Sequence, residues 1–483
     1  MIRDLRGWID QLRKAGELVE ITAEVDPYLE ITEITDRVSK EFGPALLFTR
    51  VRGSDMPVLI NQFGSERRMC MALESDHLDA PGERIQELLE LQPPQGLVDK
   101  VRALGKLREL AAFSLKEVKS APCHEIWMPE PDLDRIPILT CWPDDGGPFV
   151  TLPLVFSKDP VTGTRNCGMY RIQKVDSRTA MMHWQIHKDG AAHLRDSEGR
   201  VEVAVAIGTD PAVTYSATAP LPPHIDEMIF AGFLRGKSVE MVPCRTVDVE
   251  VPANAEIVLE GYVDATDIRP EGPFGDHTGF YTPVDDYPTF HITAISHRRD
   301  PIYSTTIVGK PPMEDFFLGK ATERMFLPLI RTTVPDLHDM NLPLEGVFHN
   351  CAIVSVRKRY PGHAKKLMNA VWGLGLLSLS RCVIVVDHDV DVHDTSAVAF
   401  QAFSNVDPAR DMLLVDGPVD ALDHAAPYFA YGSKIGFDAT RKLPGEGQVR
   451  PWPDEIRMND DVMNLVDRRW GEYGIPGSGA RTP

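Results

Sequence analysis

The chain is short of cysteine, short of positive charge and free of long apolar runs, and each shortage narrows what it can be. Its seven Cys among 483 residues are an odd number, scattered, with no CxxC pair. That usage excludes a disulfide scaffold and a paired-thiolate zinc site, and it fits free thiols in a reducing cytoplasm. Lys and Arg number 51 against 71 Asp and Glu, a formal net charge of −20. So acidic a chain is a poor partner for nucleic acid or an anionic membrane surface. No apolar stretch approaches the ~20 residues of a membrane span, so no integral membrane segment is expected. Met1-Ile2-Arg3-Asp4 opens a charged amphipathic pattern, not a secretory leader. No internal repeat is present. Gly373-Leu374-Gly375 lacks a complete dinucleotide fingerprint, Gly432-Ser433-Lys434 is no nucleophile elbow, and the acidic run Asp387–Asp394 lacks the glycine of a calcium loop.

What is present begins at residues 270–281, PEGPFGDHTGFY, where Glu271 and Asp276 stand five residues apart. On a strand, an odd separation sends two side chains to opposite faces, and on a helix they sit well apart. The carboxylates converge only if Gly272, Pro273 and Gly275 bend the chain between them, which this composition allows. An acidic surface turn is the alternative reading.

A second cluster runs Arg165-Asn166-Cys167-Gly168-Met169-Tyr170-Arg171-Ile172-Gln173, then Met181-Met182-His183-Trp184-Gln185-Ile186-His187-Lys188, parted by the polar break Asp176–Thr179. The pattern predicts a hairpin with Arg171 opposite His183 and a bulge at Gly168. A solvated edge strand would also account for it. A third piece, Pro222-Pro223-His224-Ile225-Asp226-Glu227, reads as a helix start with acids in its first turn. The helix dipole favours such acids whether or not they have a further role.

Together these segments resemble the UbiD family of non-oxidative decarboxylases, closest in pattern to its hydroxybenzoate decarboxylase branch. The likeness extends from Asp4-Leu5-Arg6 and Gly43–Phe48 through Ile136–Pro143 and Val251–Gly261 to Pro361–Lys366 and Gly432-Ser433-Lys434, and fades beyond Lys442. It implies an α/β (α+β) fold: an N-terminal α/β lobe over 1–115, a split β-barrel flavin-binding domain over 116–312 and a linking helix over 313–332. A C-terminal αβα dimerisation domain over 333–442 and an extended arm over 443–483 complete it.

The resemblance also implies prenylated FMN, with manganese or magnesium and a monovalent potassium or sodium ion. By motif position the divalent metal set is Asn166, His183 and Glu227, a mixed, fairly hard set suited to such ions. The cofactor residues are Met169, Tyr170, Arg171, His183, Trp184 and Gln185, with Arg381 near the phosphate. Carbonyls of Ser216, Ala217 and Ala219 would take the monovalent ion. Arg171, Glu271 and Asp276 carry over as the catalytic trio, with Asp276 as proton donor. The run His183–Lys188 resembles decarboxylases of smaller aromatic or unsaturated acids more than the ubiquinone-pathway enzyme.

The expectation is thus a cytoplasmic decarboxylase of an aromatic or α,β-unsaturated acid. It would be a homodimer or hexamer, supplied with cofactor by a UbiX-like flavin prenyltransferase. Three alternatives stay open: a polyprenyl-4-hydroxybenzoate decarboxylase, a flavin-free metal-dependent lyase or hydrolase, and a non-catalytic subunit of a decarboxylase complex. Whether capture of the acid would be a cycloaddition or a simpler adduct also stays open.

Overall fold

A computed structural model of the chain describes residues 2–90, 113–185, 189–222 and 225–475. Features expected at Ile186-His187-Lys188, at Pro223-His224 and in the last residues of the tail lie outside these. The chain divides into two units, residues 1–330 and 331–483.

The first unit opens with the helix Leu5–Ala15. The Asp4 side chain accepts from the Gly7 amide at its start, and Gly16, at φ 72°, turns the chain out of it. Leu5, Trp8, Ile9 and Leu12 form its buried stripe at helical spacing. The strand Leu18–Ile21 follows and joins a four-stranded sheet with Ala45–Phe48, Val58–Ile60 and Tyr303–Ser304. That last strand returns from far along the chain, so the N-terminal lobe is completed by residues beyond 300.

The larger sheet has nine strands. Along it, Phe149–Val150, Ile172–Lys174, Thr179–Met182, Asp285–His297, Ile257–Glu271, Arg200–Ile207, Leu154–Lys158 and Arg165–Gly168 lie side by side in that order, and Ile126–Met128 pairs with Asp285–His297. The connections show that it cannot be flat. Six strand-to-strand steps separate Arg165–Gly168 from Ile172–Lys174, about 29 Å at the usual spacing. The chain between Gly168 and Ile172 reaches no more than ~14 Å. The sheet therefore curls until its two ends approach, which is the geometry of a split barrel. Met169, Tyr170 and Arg171 are the residues that bridge the gap.

The predicted hairpin is present in a narrower form. Ile172–Lys174 pairs with Thr179–Met182, and the His183 amide donates to the Arg171 carbonyl at 3.2 Å, so those two residues do face each other. In place of a bulge at Gly168, the chain leaves one end of the sheet and enters the other.

The two longest strands, Ile257–Glu271 and Asp285–His297, pair with register shifts at Glu260/Gly261 and between Asp264 and Ile268. Their far end sets Glu271 opposite Asp285, and Glu271 is wholly buried there. The helix Glu314–Thr333 follows, close to the span the sequence pattern predicts.

The second unit holds a mixed sheet in the order Leu337–Asn341, Cys351–Val356, Cys382–Asp387, Tyr431–Asp438, Met412–Pro418. Met368 of the helix His363–Trp372 packs over Gly436, which is in register with Val383. Val398 of Thr395–Asn405 packs with Ile353 and Val386. Val383 and Val386 point to opposite faces, so one helix covers each face and the unit is an αβα sandwich. Beyond Leu443 the arm carries a helix, Asp460–Arg469.

Glu314, the first residue of the long helix, has a fully buried carboxyl that accepts from the Phe63 amide and the Thr306 hydroxyl, each at 2.7 Å. Burial pushes its pKa from 4.5 up to about 7, against those hydrogen bonds. A carboxyl raised on folding contributes most below its unfolded pKa. Its contribution falls as pH rises toward 7 and is constant above. Glu314→Gln keeps the shape and removes the titration. Between pH 4.5 and 7 the natural protein is expected to lose on the order of 2–3 kcal/mol that the variant keeps. Urea unfolding across that range checks it, and parallel pH profiles would contradict it.

Candidate active site

The acidic turn closes on a single guanidinium. Arg171 Nε donates to Glu271 Oε1 at 2.8 Å and Nη2 to Oε2 at 3.1 Å, a two-pronged pair, while Nη1 donates to Asp276 Oδ2 at 2.6 Å. The guanidinium also lies over the Phe274 ring, 4.5 Å from its centroid. Side-chain exposure is 10% for Arg171, 1% for Glu271 and 8% for Asp276. The carboxylates that an undistorted strand would aim apart therefore meet, as the Gly and Pro content predicts.

Glycines make the bend. Gly272 sits at φ 99°, a conformation L side chains rarely adopt, and a Cβ on Gly275 would come within 2.1 Å of the Trp142 ring. Two further side chains hold the turn. Gln173 Oε1 accepts from the Gly272 amide at 2.7 Å. Asp145 Oδ1 accepts from the Gly275 amide at 2.8 Å, while its Oδ2 accepts from the Cys141 and Trp142 amides. Reading the sequence assigned neither. Asp145 lies well over a hundred residues upstream and no local pattern ties it to the turn, whereas Gln173 was visible as a hairpin residue without a role.

His183 stands beside the pair, its Nδ1 3.1 Å from Glu271 Oε2 and its ring tilted against Tyr287 at 4.3 Å between centroids. Burial lowers its pKa despite the Glu271 hydrogen bond, so the ring is neutral at pH 7. A neutral ring that donates Nδ1–H to Glu271 keeps a lone pair on Nε2. Burial alone would raise Asp276, but the His277 hydrogen bond and charge and then Arg171 overcome it, and its pKa falls well below the usual carboxylate range. Glu271 is lowered too: burial opposes ionisation, and the His183 and Arg171 hydrogen bonds outweigh it. One cation thus serves two buried carboxylates.

The residues expected to bind metal come from three segments of the chain. Asn166 lies buried in Arg165–Gly168, and Glu227 opens the helix Glu227–Arg235. The Cys167 amide donates to Glu227 Oε2 at 3.0 Å, which sets that carboxylate against the strand carrying Asn166. Burial pushes Glu227 up to about 7, and no Lys or Arg pairs with it among the described residues. A desolvated carboxylate lacking a cation fits a divalent ion. So does His183, whose other ring nitrogen is held by a carboxylate, the usual support for a metal-ligating imidazole. No hydrogen bond or ion pair among the described residues joins His183 to the Asn166–Glu227 pair. No cluster of three or more His, Cys, Asp or Glu able to hold a metal occurs among those residues either.

The expected cofactor residues line the crossing between sheet ends. Tyr170 and Trp184 are buried, edge to face at 6.4 Å, and Gln185 follows half-buried. The Trp184 indole N–H is buried without an acceptor among the described residues, so an acceptor brought by a ligand would satisfy it. The Met169 amide donates to the Ala217 carbonyl at 3.1 Å. The Ser216 carbonyl accepts from Ala219 N, and the Ala219 carbonyl from Leu221 N. Each carbonyl keeps a second lone pair free for a monovalent ion. Arg381 belongs to the second unit, where its guanidinium pairs with Asp423.

The N-terminal domain of 3-octaprenyl-4-hydroxybenzoate carboxy-lyase matches residues 9–90, its Rift-related (UbiD) domain residues 116–311 and its C-terminal domain residues 316–439. An uncharacterized protein of Archaeoglobus fulgidus is 52% identical over 474 residues, 97% of this chain and 98% of its own length. Among solved structures, the UbiD-class enzyme HmfF from Pelotomaculum thermopropionicum in complex with FMN is 29% identical. It superposes at TM-score 0.79 over 96% of this chain and 99% of that one. The vanillic acid decarboxylase of Sedimentibacter hydroxybenzoicus, in closed form, is 25% identical at TM-score 0.84 over 98% and 99% of the two chains. Three domain matches in the expected order and solved relatives of nearly full length leave one conclusion: the chain belongs to the UbiD family of carboxy-lyases.

Proposed function

We propose that the protein is a prenylated-FMN-dependent carboxy-lyase that reversibly decarboxylates an aromatic or α,β-unsaturated carboxylic acid. The observation that supports this reading best is Arg171 bound at once to Glu271 and Asp276 in a buried pocket, beside a neutral His183. Breaking a C–CO2 bond leaves an electron pair on carbon, and no side chain is an adequate sink for it. When bound, prenylated FMN supplies that sink. The chain's own groups do the rest. Arg171 is the cation that can grip a substrate carboxylate, Glu271 fixes the guanidinium and the His183 ring, and Asp276 gives the proton that replaces carbon dioxide. Tyr170, Trp184 and Met169 would line the cofactor, and Asn166, His183 and Glu227 would hold manganese or magnesium. The carbonyls of Ser216, Ala217 and Ala219 would take potassium.

An evolved dimeric form of HmfF has been solved with prFMN, which supports that cofactor here. No described helix is long and apolar enough to cross a membrane, in keeping with a cytoplasmic enzyme served by a flavin prenyltransferase.

The test is to produce the protein with and without a flavin prenyltransferase. Absorption and mass spectra of bound flavin are recorded, and both samples are screened against aromatic, furanoic and cinnamic-type acids. Carbon dioxide release only by the prenyl-flavin-loaded sample is the expected result. Equal activity of both samples would instead favour flavin-free metal chemistry.

A further inference from the structure

We propose that His277 is the relay through which Asp276 regains a proton from solvent in every turnover. The inference rests on the decarboxylase reading above. Converting a carboxylate anion to carbon dioxide and a neutral product consumes one proton. The C–CO2 bond breaks, its electron pair stays with carbon, the Asp276 O–H bond breaks and a C–H bond forms. Asp276 is then an anion, as it is in the substrate-free protein, 6% exposed, and must take up a proton before each transfer to carbon.

Its contacts limit the source. Arg171 holds Oδ2, and a guanidinium does not give up a proton in a protein. The Thr282 hydroxyl stands 3.5 Å from Oδ2 and is no acid near neutral pH. His277 meets Oδ1 twice, with its backbone amide at 2.8 Å and its ring Nδ1 at 2.9 Å. Its side chain is 21% exposed against 8% for Asp276, so the ring spans from the buried carboxylate toward water. Imidazole is also the side chain that gains and loses protons around neutrality. In the relay the His277 Nδ1–H bond breaks as the Asp276 O–H bond forms, and water returns a proton to the ring.

A second acid lies within electrostatic reach of that ring. Asp315 is half-buried at the start of the long helix, and its shielded Oδ2 has no hydrogen-bond partner among the described residues. Burial pushes it up to about 6, and it interacts electrostatically with both His277 and Asp276. Among the described residues, the titratable and charged groups facing the Asp276–His277 pair include Arg171, Glu271, Tyr287 and Asp315. His277 falls in the motif PEGPFGDHTGFY, yet its part is legible only once the ring is seen to fold back on its own neighbour.

The experiment uses holoenzyme made with the prenyltransferase and whichever acid of the screening panel turns over fastest. His277→Gln and His277→Ala are compared with the natural protein for kcat, KM, flavin content and solvent deuterium isotope effect. The expected result is a kcat about 100-fold lower with KM and flavin content kept. A larger solvent isotope effect and partial rescue of His277→Ala by added imidazole are expected too. A kcat unchanged in both variants overturns the relay. So does a loss that imidazole does not repair and that leaves the isotope effect untouched, which would mark His277 as structural. Infrared titration of the Asp276 carboxyl in cofactor-free protein is a second readout: removing the ring should raise its midpoint, and an unmoved midpoint counts against the pairing. Natural holoenzyme inert toward every acid would bring down the decarboxylase reading itself, and the relay with it.

Discussion

Arg171→Met is expected to destabilise the first unit by about 3–5 kcal/mol at pH 8, the cost of leaving buried charges without their partner. The variant should also lose turnover. The guanidinium is the shared counter-ion of Glu271 and Asp276, and it makes three of the hydrogen bonds that keep both ionised. Methionine matches its length and lies comfortably over Phe274 but carries no charge. The loss should depend on pH with a definite sign. Asp276 in the natural protein is depressed on folding, so its contribution is present above its unfolded pKa and disappears as acid drives pH down through the folded one. In the variant Asp276 keeps its His277 contacts but loses the guanidinium, its pKa rises, and the stability it adds as pH increases shrinks. The gap between the proteins should therefore be widest in alkali and narrow toward pH 4. Adding Glu271→Gln and Asp276→Asn to Arg171→Met should restore most of the stability, because no charge is then stranded. A single variant as stable as the natural protein at pH 8 would mean the trio is solvated, contrary to its burial.

The parts of this fold that repeat or cap were legible in the sequence. Leu5, Trp8, Ile9 and Leu12 announce a helix by spacing, Gly16 announces its end, and the β-branched run from Val383 announces a buried strand. At the site, the bend between Glu271 and Asp276 followed from Gly272, Pro273 and Gly275, and the facing of Arg171 and His183 followed from a short polar break. Long-range placement was not legible. The pattern did not show that Gly168 and Ile172 enter opposite ends of one curled sheet, because local sequence carries a strand's period and not its neighbours. For the same reason the return of Tyr303–Ser304 to the N-terminal sheet and the grip of Asp145 on the Gly275 amide left no trace. The buried Glu314 and the half-buried Asp315 resembled the ordinary acidic first turn of a helix. Only their burial distinguishes them.

Asp276→Asn should separate chemistry from stability where Arg171→Met combines them. Asparagine keeps an oxygen for the His277 amide and leaves the two-pronged Arg171–Glu271 pair in place. It removes one negative charge from a buried group of two carboxylates and one cation, so unfolding by denaturant should change little. Protonation of the product carbon loses its donor, and kcat should fall by about 10²–10⁴-fold with flavin content preserved. The slow step should move as well. If C–CO2 cleavage limits the natural enzyme, a 13C effect at the carboxyl carbon is visible there. In Asp276→Asn that effect should shrink while the solvent deuterium effect grows, because cleavage becomes reversible before a slow protonation. Asp276→Glu should fall between the two, since it retains an acid but pushes it one methylene further from an Arg171 contact already at 2.6 Å. An asparagine variant within tenfold of the natural rate would transfer the proton to another group. Glu271 would then be first in line, as the other acid on the same guanidinium.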